Sequence, residues 1–414
     1  MSAKRRINLG DIKQPLQGLS AKLAGRERPT KVIYISTYIP RRCGIATFTK
    51  DLTTSINNLN PHALAEIIAI NDEVQQHEYP WEVKLRIGQN NPQDYSMAAH
   101  YINQSSTDIV NLQHEFGLFG GVSGDYLLPL LDSIEKPLVT NFHTILPEPD
   151  THEKYVIQRI IERSAAVVAM TESSRQILLN VYDCPPEKAV VIHHGVPDFT
   201  FNNIDAHRKR LRIKADPMIL MAGLLGPSKG FEYMIDAMPA IVAEAPNAKL
   251  YVVGQTHPHV LHREGEAYRS RLRRRVRDNK VADSVVFVNR YLGDDELRRY
   301  YQATDFFVTP YPGMQQPTSG TLAWAVGAGK ACISTPYHYA REILSEGAGI
   351  LVPPKDSLAL AKEIVDLCKD AGKQLALRER AYKKGRQMTW FNTGLKYLNL
   401  FELVRQAQEA EAAA

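Results

Sequence analysis

The feature that most constrains the fold is a repeated alternation of short apolar segments with stretches of helical pattern. Runs such as KVIYIST, DIVNLQH and SVVFVNR are rich in Val and Ile, which is typical of strands buried on both faces. Stretches such as ATFTKDLTTSINNL and FEYMIDAMPAIVAEA lie between the strands and favour helices. This alternation predicts an α/β fold with parallel sheets covered by helices.

The alternation starts twice along the 414 residues, which suits two domains of about 150–200 residues each. A charged, Pro-containing link, DAHRKRLRIKADP, separates the two series. We therefore expect a flexible basic leader over 1–30, a Rossmann-like domain over 31–205, a second Rossmann-like domain over 206–385, and a C-terminal helix over 386–414 that packs back toward the first domain.

Charge and cysteine content narrow the classes of function. The net charge of +5 comes from the leader, which holds seven Lys or Arg against two acidic residues. The leader is open to three interpretations: a solvated segment, a contact with an anionic membrane surface, or a contact with a nucleic acid. Four scattered cysteines predict neither a disulfide framework nor a metal site, and they favour the cytoplasm. We expect neither a secretory signal nor a membrane-spanning helix.

A nucleic acid is not an expected partner. The densest basic run, over 269–277, has no interleaved aromatic residues and favours a solvated helix face.

Two glycine-containing loops between a strand and a helix are candidates for binding an anion. Gly44 precedes the first helix of the first domain, where backbone N–H groups and the helix dipole favour negative charge. In the second domain the segment MAGLLGPSKGF places Gly223, Gly226 and Lys229 in the loop after the strand. A lysine ammonium at that position suits a phosphoryl oxygen.

A third loop shows the strongest signal for a phosphate. The segment TPYPGMQQPTSGTLAWAVGAGK ends a strand, passes through a polar loop and opens a helix of small residues at Ser319, Gly320 and Thr321. The first N–H groups of such a helix have no partner within the helix, so they are available to an anion.

The order of these loops resembles that of glycosyltransferase family 4. The family has a Gly-rich loop after the first strand and a T-x-H segment, matched here by Gly44 and by Thr140 to His143. Its G-R-L-x-P-x-K-G loop, its E-G-F-G-x-x-x-x-E-A-M-A-x-G-x-P stretch and its P-E-I-I segment are matched by residues 223–230, 316–330 and 340–344. The resemblance covers residues 31–400. It implies GT-B architecture, in which two Rossmann-like domains face each other across a cleft.

The resemblance also implies roles for individual residues. His143 would contact the transferred sugar, Lys229 would bind the donor phosphate, and Gln316 occupies the position of the first of the family's two glutamates. We class these three as catalytic. Further substrate contacts are expected at His114, Glu115 and Glu342, while donor and phosphate binding is expected at Gly44, Gly223, Gly226, Ser319, Gly320, Thr321 and Trp324.

Three departures from the family pattern concern the donor. The arginine of the G-R-L loop is Leu224, and the paired glutamates are Gln316 and Trp324. An indole cannot accept the two hydrogen bonds of ribose hydroxyls. Three interpretations therefore stay open: a nucleotide-sugar donor held by other groups, a phosphorylase that uses phosphate or a sugar 1-phosphate, and a degenerate carbohydrate-binding protein.

The first interpretation leads the prediction. It is a retaining glycosyltransferase, a hexosyltransferase, that moves a sugar from a nucleotide-sugar to a carbohydrate or lipid-linked acceptor. No cofactor is required beyond that co-substrate, and no metal is expected. The sequence does not indicate the oligomeric state.

Overall fold

The computed structural model describes residues 28–72, 77–201, 204–316 and 318–413. The predicted leader lies outside these residues apart from its last three. The chain divides into two compact units. Unit 1 runs up to Gly195 and includes the C-terminal segment from Trp390, and unit 2 comprises Val196–Thr389. The sequence places the first boundary ten residues later, at 205, and the second four residues earlier, at 385.

Unit 1 contains a parallel sheet whose described strands follow the order β3-β2-β1-β4-β5-β6-β7. The strands are β1 Val32–Ser36, β2 Glu66–Asn71, β3 Val83–Gly88, β4 Ile109–His114, β5 Leu138–Phe142, β6 Ala166–Ala169 and β7 Ala189–Val191. The helices between them are α1 Gly44–Leu59, α2 Pro92–Gln104, α3 Leu127–Ser133, α4 Thr151–Arg163 and α5 Glu172–Val181.

Unit 2 contains a second parallel sheet, with the described strands in the order β10-β9-β8-β11-β12-β13. The strands are β8 Met218–Ala222, β9 Lys249–Val253, β10 Val285–Val288, β11 Phe306–Thr309, β12 Ala331–Ser334 and β13 Ile350–Leu351. The helices are α6 Ile204–Leu211, α7 Phe231–Glu244, α8 Pro258–Glu264, α9 Ala267–Asp278, α10 Asp294–Ala303, α11 Gly320–Gly327, α12 His338–Ile343, α13 Ser357–Lys369 and α14 Ala371–Arg386.

Each sheet has an apolar cluster on both of its faces, which explains why the strands are apolar without alternation. In β1, Ile33 and Ile35 belong to one cluster, while Val32 and Tyr34 belong to the cluster on the opposite face. Each fully buried side chain of this size contributes about 1.5–3 kcal/mol. The predicted α/β class is confirmed.

A last helix, α15 Trp390–Ala412, packs within unit 1 against α1. Its backbone comes close to α1 because Gly394 has no side chain, and the Ser55 hydroxyl donates to the Trp390 carbonyl at 2.6 Å. Tyr397 of α15 reaches the sheet and donates to Asn141 at 2.9 Å. None of the helices within the described ranges has the length and apolar character needed to cross a bilayer.

Candidate active site

The carboxyl ends of parallel strands lie at one edge of a sheet, where ligands of open α/β folds bind. In unit 2, β8 and β11 are neighbours, so the loops that follow them meet at this edge. Gly230 adopts φ +66°, and a side chain there would overlap the Pro310 carbonyl oxygen. This close approach brings the loop that carries Lys229 against the segment that follows β11.

Lys229 lies over the aromatic ring of Tyr311, with its Nζ 4.2 Å from the ring centroid. Tyr311 itself is buried and stacks on Tyr337 at 4.8 Å with an interplanar angle of 13°. A buried ring beneath an ammonium strengthens the cation–π attraction. The lysine is therefore held at this edge of the sheet.

The hydroxyl of Tyr311 connects the lysine to the start of α11. It lies 3.3 Å from the Thr321 hydroxyl and 3.5 Å from that of Ser319, and these two hydroxyls are 3.2 Å apart. Burial alone would raise the pKa of Tyr311, but the Lys229 charge and the hydrogen bonds from Ser319 and Thr321 outweigh it and lower that pKa. The structure thus brings three predicted residues together around one that was not predicted.

Ser319 is also the N-cap of α11, since its side chain accepts from the Leu322 N–H at 3.4 Å. Gly320 and Thr321 form the first turn, where the positive end of the helix dipole favours an anion. An ammonium, two hydroxyls, a phenol and a helix start are suited to a phosphate group.

The glycines after β8 lie close to side chains of neighbouring helices, so a Cβ at these positions would already contact them. Gly223 has φ +126°, and a Cβ there would lie 3.4 Å from the Thr321 methyl group. At Gly226, a Cβ would lie 3.4 Å from a Val260 methyl group. Leu224, which replaces the family arginine, is half-buried. Gly223 therefore reaches the start of α11, whereas Gly226 faces α8.

Two predicted donor contacts are engaged in other interactions. Gln316 donates from Nε2 to the Thr318 carbonyl at 2.9 Å, which ties its amide to the loop. Trp324 is only 7% exposed, and its indole packs at 5.9 Å from Phe199 and 5.6 Å from Tyr301. Trp324 is a core residue, and its placement does not support the predicted contact with a donor.

Glu342 lies in the short helix α12 and is half-buried. Its carbonyl accepts from Lys384 Nζ at 2.8 Å and from the Ser345 hydroxyl at 2.7 Å. Burial raises the pKa of neighbouring Tyr339, and the Glu342 carboxylate raises it further. Its predicted contact with substrate stays a prediction.

In unit 1, Gly44 is the first residue of α1 and is exposed. The preceding Cys43 caps the helix through its sulfur, which accepts from Ala46 N–H at 3.3 Å. No atom lies within 4 Å of a Cβ built at Gly44. The position is therefore open, and the predicted anion contact at Gly44 stays a prediction.

His143 follows β5 and belongs to a chain of buried amides. Its Nε2 is 2.8 Å from Gln113 Oε1 and 3.2 Å from Asn141 Nδ2. Its ring meets the edge of Phe48 at 4.9 Å, and Phe48 also contacts His194 at 5.1 Å. Burial, with smaller effects of His194 and His114, lowers the pKa of His143 to about 3, so the ring is neutral at physiological pH.

His114, by contrast, points to the opposite face of the sheet. Residues 113 and 114 are adjacent in β4, and successive side chains of a strand alternate between its faces. Its ring is 0% exposed among Phe116, Phe119 and Phe142, and neither ring nitrogen has a hydrogen-bond partner in the described structure. Burial lowers its pKa to about 3. This placement does not support the predicted substrate contact.

Glu115 lies just beyond β4 and is half-buried. Its carboxylate accepts from the Thr144 hydroxyl at 2.5 Å and from the Phe116 N–H at 3.0 Å. Burial raises its pKa, although both hydrogen bonds act against this. Glu115 therefore connects the segments that follow β4 and β5.

The structure adds residues that sequence reasoning missed. Tyr311 lies two residues beyond the end of β11, and a phenol at that position is a sequence signal of a binding site. Asn111 and Gln113 alternate with apolar residues inside a buried strand, which is a second sequence signal of a binding site. Among the described residues, no group of three or more His, Cys, Asp or Glu side chains is placed to hold a metal ion.

Comparisons with known proteins bear on the family and the fold. The model described as Glycosyltransferase Family 4 matches residues 58–198, and the one described as Glycosyl transferases group 1 matches residues 216–370. D-inositol 3-phosphate glycosyltransferase of Kineococcus radiotolerans is 27% identical over 307 residues, which are 68% of this chain and 70% of that protein. Phosphatidyl-myo-inositol mannosyltransferase of Mycolicibacterium smegmatis is 21% identical over 67% of this chain and 68% of that protein. Several further relatives match over about three fifths of their length.

Solved structures show the same fold. Sucrose-phosphate synthase of Thermosynechococcus elongatus matches with a TM-score of 0.73 and 18% identity, over 93% of this chain and 100% of that one. Its likeness, and that of other solved glycosyltransferases, confirms the GT-B type of α/β fold.

Proposed function

The chain belongs to the group 1, family 4 glycosyltransferases, and on this basis we propose that it is a retaining enzyme with a nucleotide-sugar donor. It would transfer a hexose to a carbohydrate or lipid-linked acceptor. Relatives named as glycosyltransferases of inositol phosphate and of phosphatidylinositol support this range of acceptors. No cofactor beyond the donor is proposed, and the place of action is the cytoplasm, with or without contact with a membrane surface.

The observation that carries the proposal is the group around Tyr311. Lys229 Nζ lies 4.2 Å from the ring, and the Ser319 and Thr321 hydroxyls surround the phenol oxygen at the start of α11. These groups would bind the donor phosphates and stabilise negative charge as the leaving group departs. Because they are fixed by stacking and hydrogen bonds before the donor arrives, little reorganisation is needed in the transition state.

Retention would follow from attack on the face from which the leaving group departs. In this mechanism a leaving phosphate oxygen accepts the proton of the acceptor hydroxyl, and the new glycosidic bond forms on the same face. His143 of unit 1 would contact the transferred sugar as a neutral imidazole. Gln316 would accept a hydrogen bond from a sugar hydroxyl through its amide oxygen, because its Nε2 donates to the Thr318 carbonyl.

The comparisons do not favour the two alternatives, a phosphorylase and a degenerate carbohydrate-binding protein. Both become outcomes of a single experiment. The protein is incubated with UDP-, GDP- and ADP-sugars or with sugar 1-phosphates, together with inositol phosphates and simple sugars as acceptors. Release of nucleoside diphosphate is expected, and NMR of the product shows the anomeric configuration.

Lys229→Ala is expected to lower kcat by about 100- to 1,000-fold with an unchanged melting temperature, because one charge-stabilising group is lost. Lys214→Ala is the matched control, since Lys214 is an exposed lysine of the same unit. Release of phosphate from sugar 1-phosphates alone would identify a phosphorylase. Full activity of Lys229→Ala would overturn the phosphate site.

A further inference from the structure

Polar side chains interrupt two neighbouring apolar strands of unit 1 on the same face of the sheet. Asn111 and Gln113 are two residues apart in β4, and Asn141 and His143 are two residues apart at the end of β5. The register pairs Asn111 with Val139 and Gln113 with Asn141. The three amide side chains are fully buried, so each must find hydrogen-bond partners among its neighbours.

The orientation of these amides is set by a backbone carbonyl, which can accept a hydrogen bond but cannot donate one. Asn111 Nδ2 donates to the backbone carbonyl of Val139 at 2.9 Å, and a carbonyl can only accept. The Asn111 oxygen is therefore directed the other way, where Gln113 Nε2 donates to it at 2.5 Å. This in turn directs Gln113 Oε1 toward Asn141 and His143.

Gln113 Oε1 then determines where the proton of His143 lies. It accepts from Asn141 Nδ2 at 2.8 Å and lies 2.8 Å from His143 Nε2. An amide oxygen donates no hydrogen bond, so this contact is attractive only if Nε2 carries the proton. Asn141 Nδ2 also lies 3.2 Å from Nε2, but it already donates to Gln113 Oε1, and the shorter contact of Nε2 with that oxygen decides the tautomer. Tyr397 donates to Asn141 Oδ1 at 2.9 Å, which agrees with the same orientation of Asn141.

We propose that Gln113 is a positioning residue, which keeps the proton of His143 on Nε2 and thereby makes Nδ1 the acceptor nitrogen of the ring. This inference rests on the proposed function, in which His143 contacts the transferred sugar. Phe48 packs edge-on against the ring at 89° and fixes its plane. Because the ring is buried and neutral, the position of its single proton decides whether each nitrogen donates or accepts.

The tautomer can be measured without any substrate. The whole protein is labelled with 15N-histidine, and long-range 1H–15N spectra distinguish Nε2–H from Nδ1–H rings. His143→Asn identifies the signals of His143 by their loss. We expect the Nε2–H form at pH 7, and finding the Nδ1–H form would overturn the proposal.

Variants of the amide chain test cause and effect. Gln113→Leu removes the acceptor, so we expect the Nδ1–H form to become populated and kcat to fall about tenfold or more. Gln113→Glu is the conservative rescue, because a neutral carboxyl group can donate to Asn111 and accept from His143. It is expected to retain the Nε2–H form and most of the activity.

Tyr397→Phe is the matched control within the same network. It removes the hydrogen bond to Asn141 but leaves the connection from Val139 through Asn111 and Gln113 intact, so the Nε2–H form is expected to remain. Loss of that form in Tyr397→Phe would show that general packing, not Gln113, sets the tautomer. If the protein transfers no sugar but shows the expected tautomers, the proposed function fails while the proton assignment holds.

Discussion

At the scale of single residues, Tyr311 is the side chain on which the donor-side arrangement of unit 2 depends. Its ring face supports the Lys229 ammonium, and its hydroxyl meets those of Ser319 and Thr321. The two contacts can be separated by substitution because only one of them needs the oxygen. The contribution of the ring and that of the hydroxyl can therefore be tested with separate variants.

Tyr311→Phe retains the ring and its stack on Tyr337, whereas Tyr311→Leu removes both ring and hydroxyl. We expect affinity for a nucleoside diphosphate to fall by about 0.5–1.5 kcal/mol in the first variant, through the lost hydrogen bond. A further loss of about 0.5–2 kcal/mol is expected in the second, since the cation–π contact also disappears. Calorimetry measures both values. Equal affinities of the two variants would show that the ring does not hold the lysine.

Replacement of His114 is expected to stabilise the protein, unlike the replacements of Tyr311, because the buried His114 ring makes no hydrogen bond to any described residue. Its two ring nitrogens lack partners in the described structure. Replacing an unsatisfied buried polar group with an apolar one of similar size is neutral or stabilising. His114→Leu is therefore expected to raise the free energy of unfolding by about 1 kcal/mol in urea titrations, with unchanged activity. A folded variant without activity would restore the substrate contact predicted from the sequence.

At the scale of elements, the position of α11 depends on a glycine of α14. A Cβ at Gly385 would lie 2.6 Å from Gly327 Cα, and the next nearest atoms are also backbone of α11. Backbone atoms cannot rotate away from such a contact, so any side chain here would push the two helices apart. The contact is at Gly327, at the end of α11, whereas Ser319 to Thr321 lie at the start of the same helix.

Gly385→Ala is expected to destabilise the protein by about 1–3 kcal/mol because of this overlap. Gly372→Ala is the control on the same helix, where a Cβ would meet only the Asp370 carboxylate at 3.4 Å. It is expected to stabilise by about 0.5–1 kcal/mol, the usual gain of alanine over glycine in a helix. Urea unfolding compares the two, and equal effects would show that the helices tolerate separation.

The sequence predicts elements better than it predicts which face a residue occupies. Apolar strands between helices indicate parallel sheets, and small residues at Ser319 to Thr321 indicate a helix start that suits an anion. The face is harder to predict, because these strands are buried on both sides and show no alternation of polar and apolar residues. His114 and His143 both stand at strand ends, yet they lie on opposite faces. Trp324 likewise points into the core because of the rotation of α11, which a helix of apolar residues does not reveal.

At the scale of the whole molecule, unit 1 carries a group of neutral histidines, two of them buried and His194 half-buried. Burial lowers the pKa of His114 and His143 to about 3 and that of His194 to about 4. In the unfolded chain each would titrate near about 6.5. Below that pH the unfolded state binds protons that the folded state does not, so acid favours unfolding.

These histidines are therefore expected to cost unit 1 no stability above about pH 6.5. Below that pH the free energy of unfolding of unit 1 is expected to fall as the pH drops toward about 4. Each histidine contributes about 1.4 kcal/mol per pH unit in this range. Glu115 acts in the opposite direction, since burial raises its pKa and the folded state then holds its proton above the usual pH. Hydrogen exchange followed segment by segment at pH 7, 6 and 5 would show strands β4 and β5 losing protection. In His114→Leu the free energy of unfolding should fall less steeply with pH, because one titrating histidine is missing. An unchanged slope would mean that this imidazole is protonated in the folded protein.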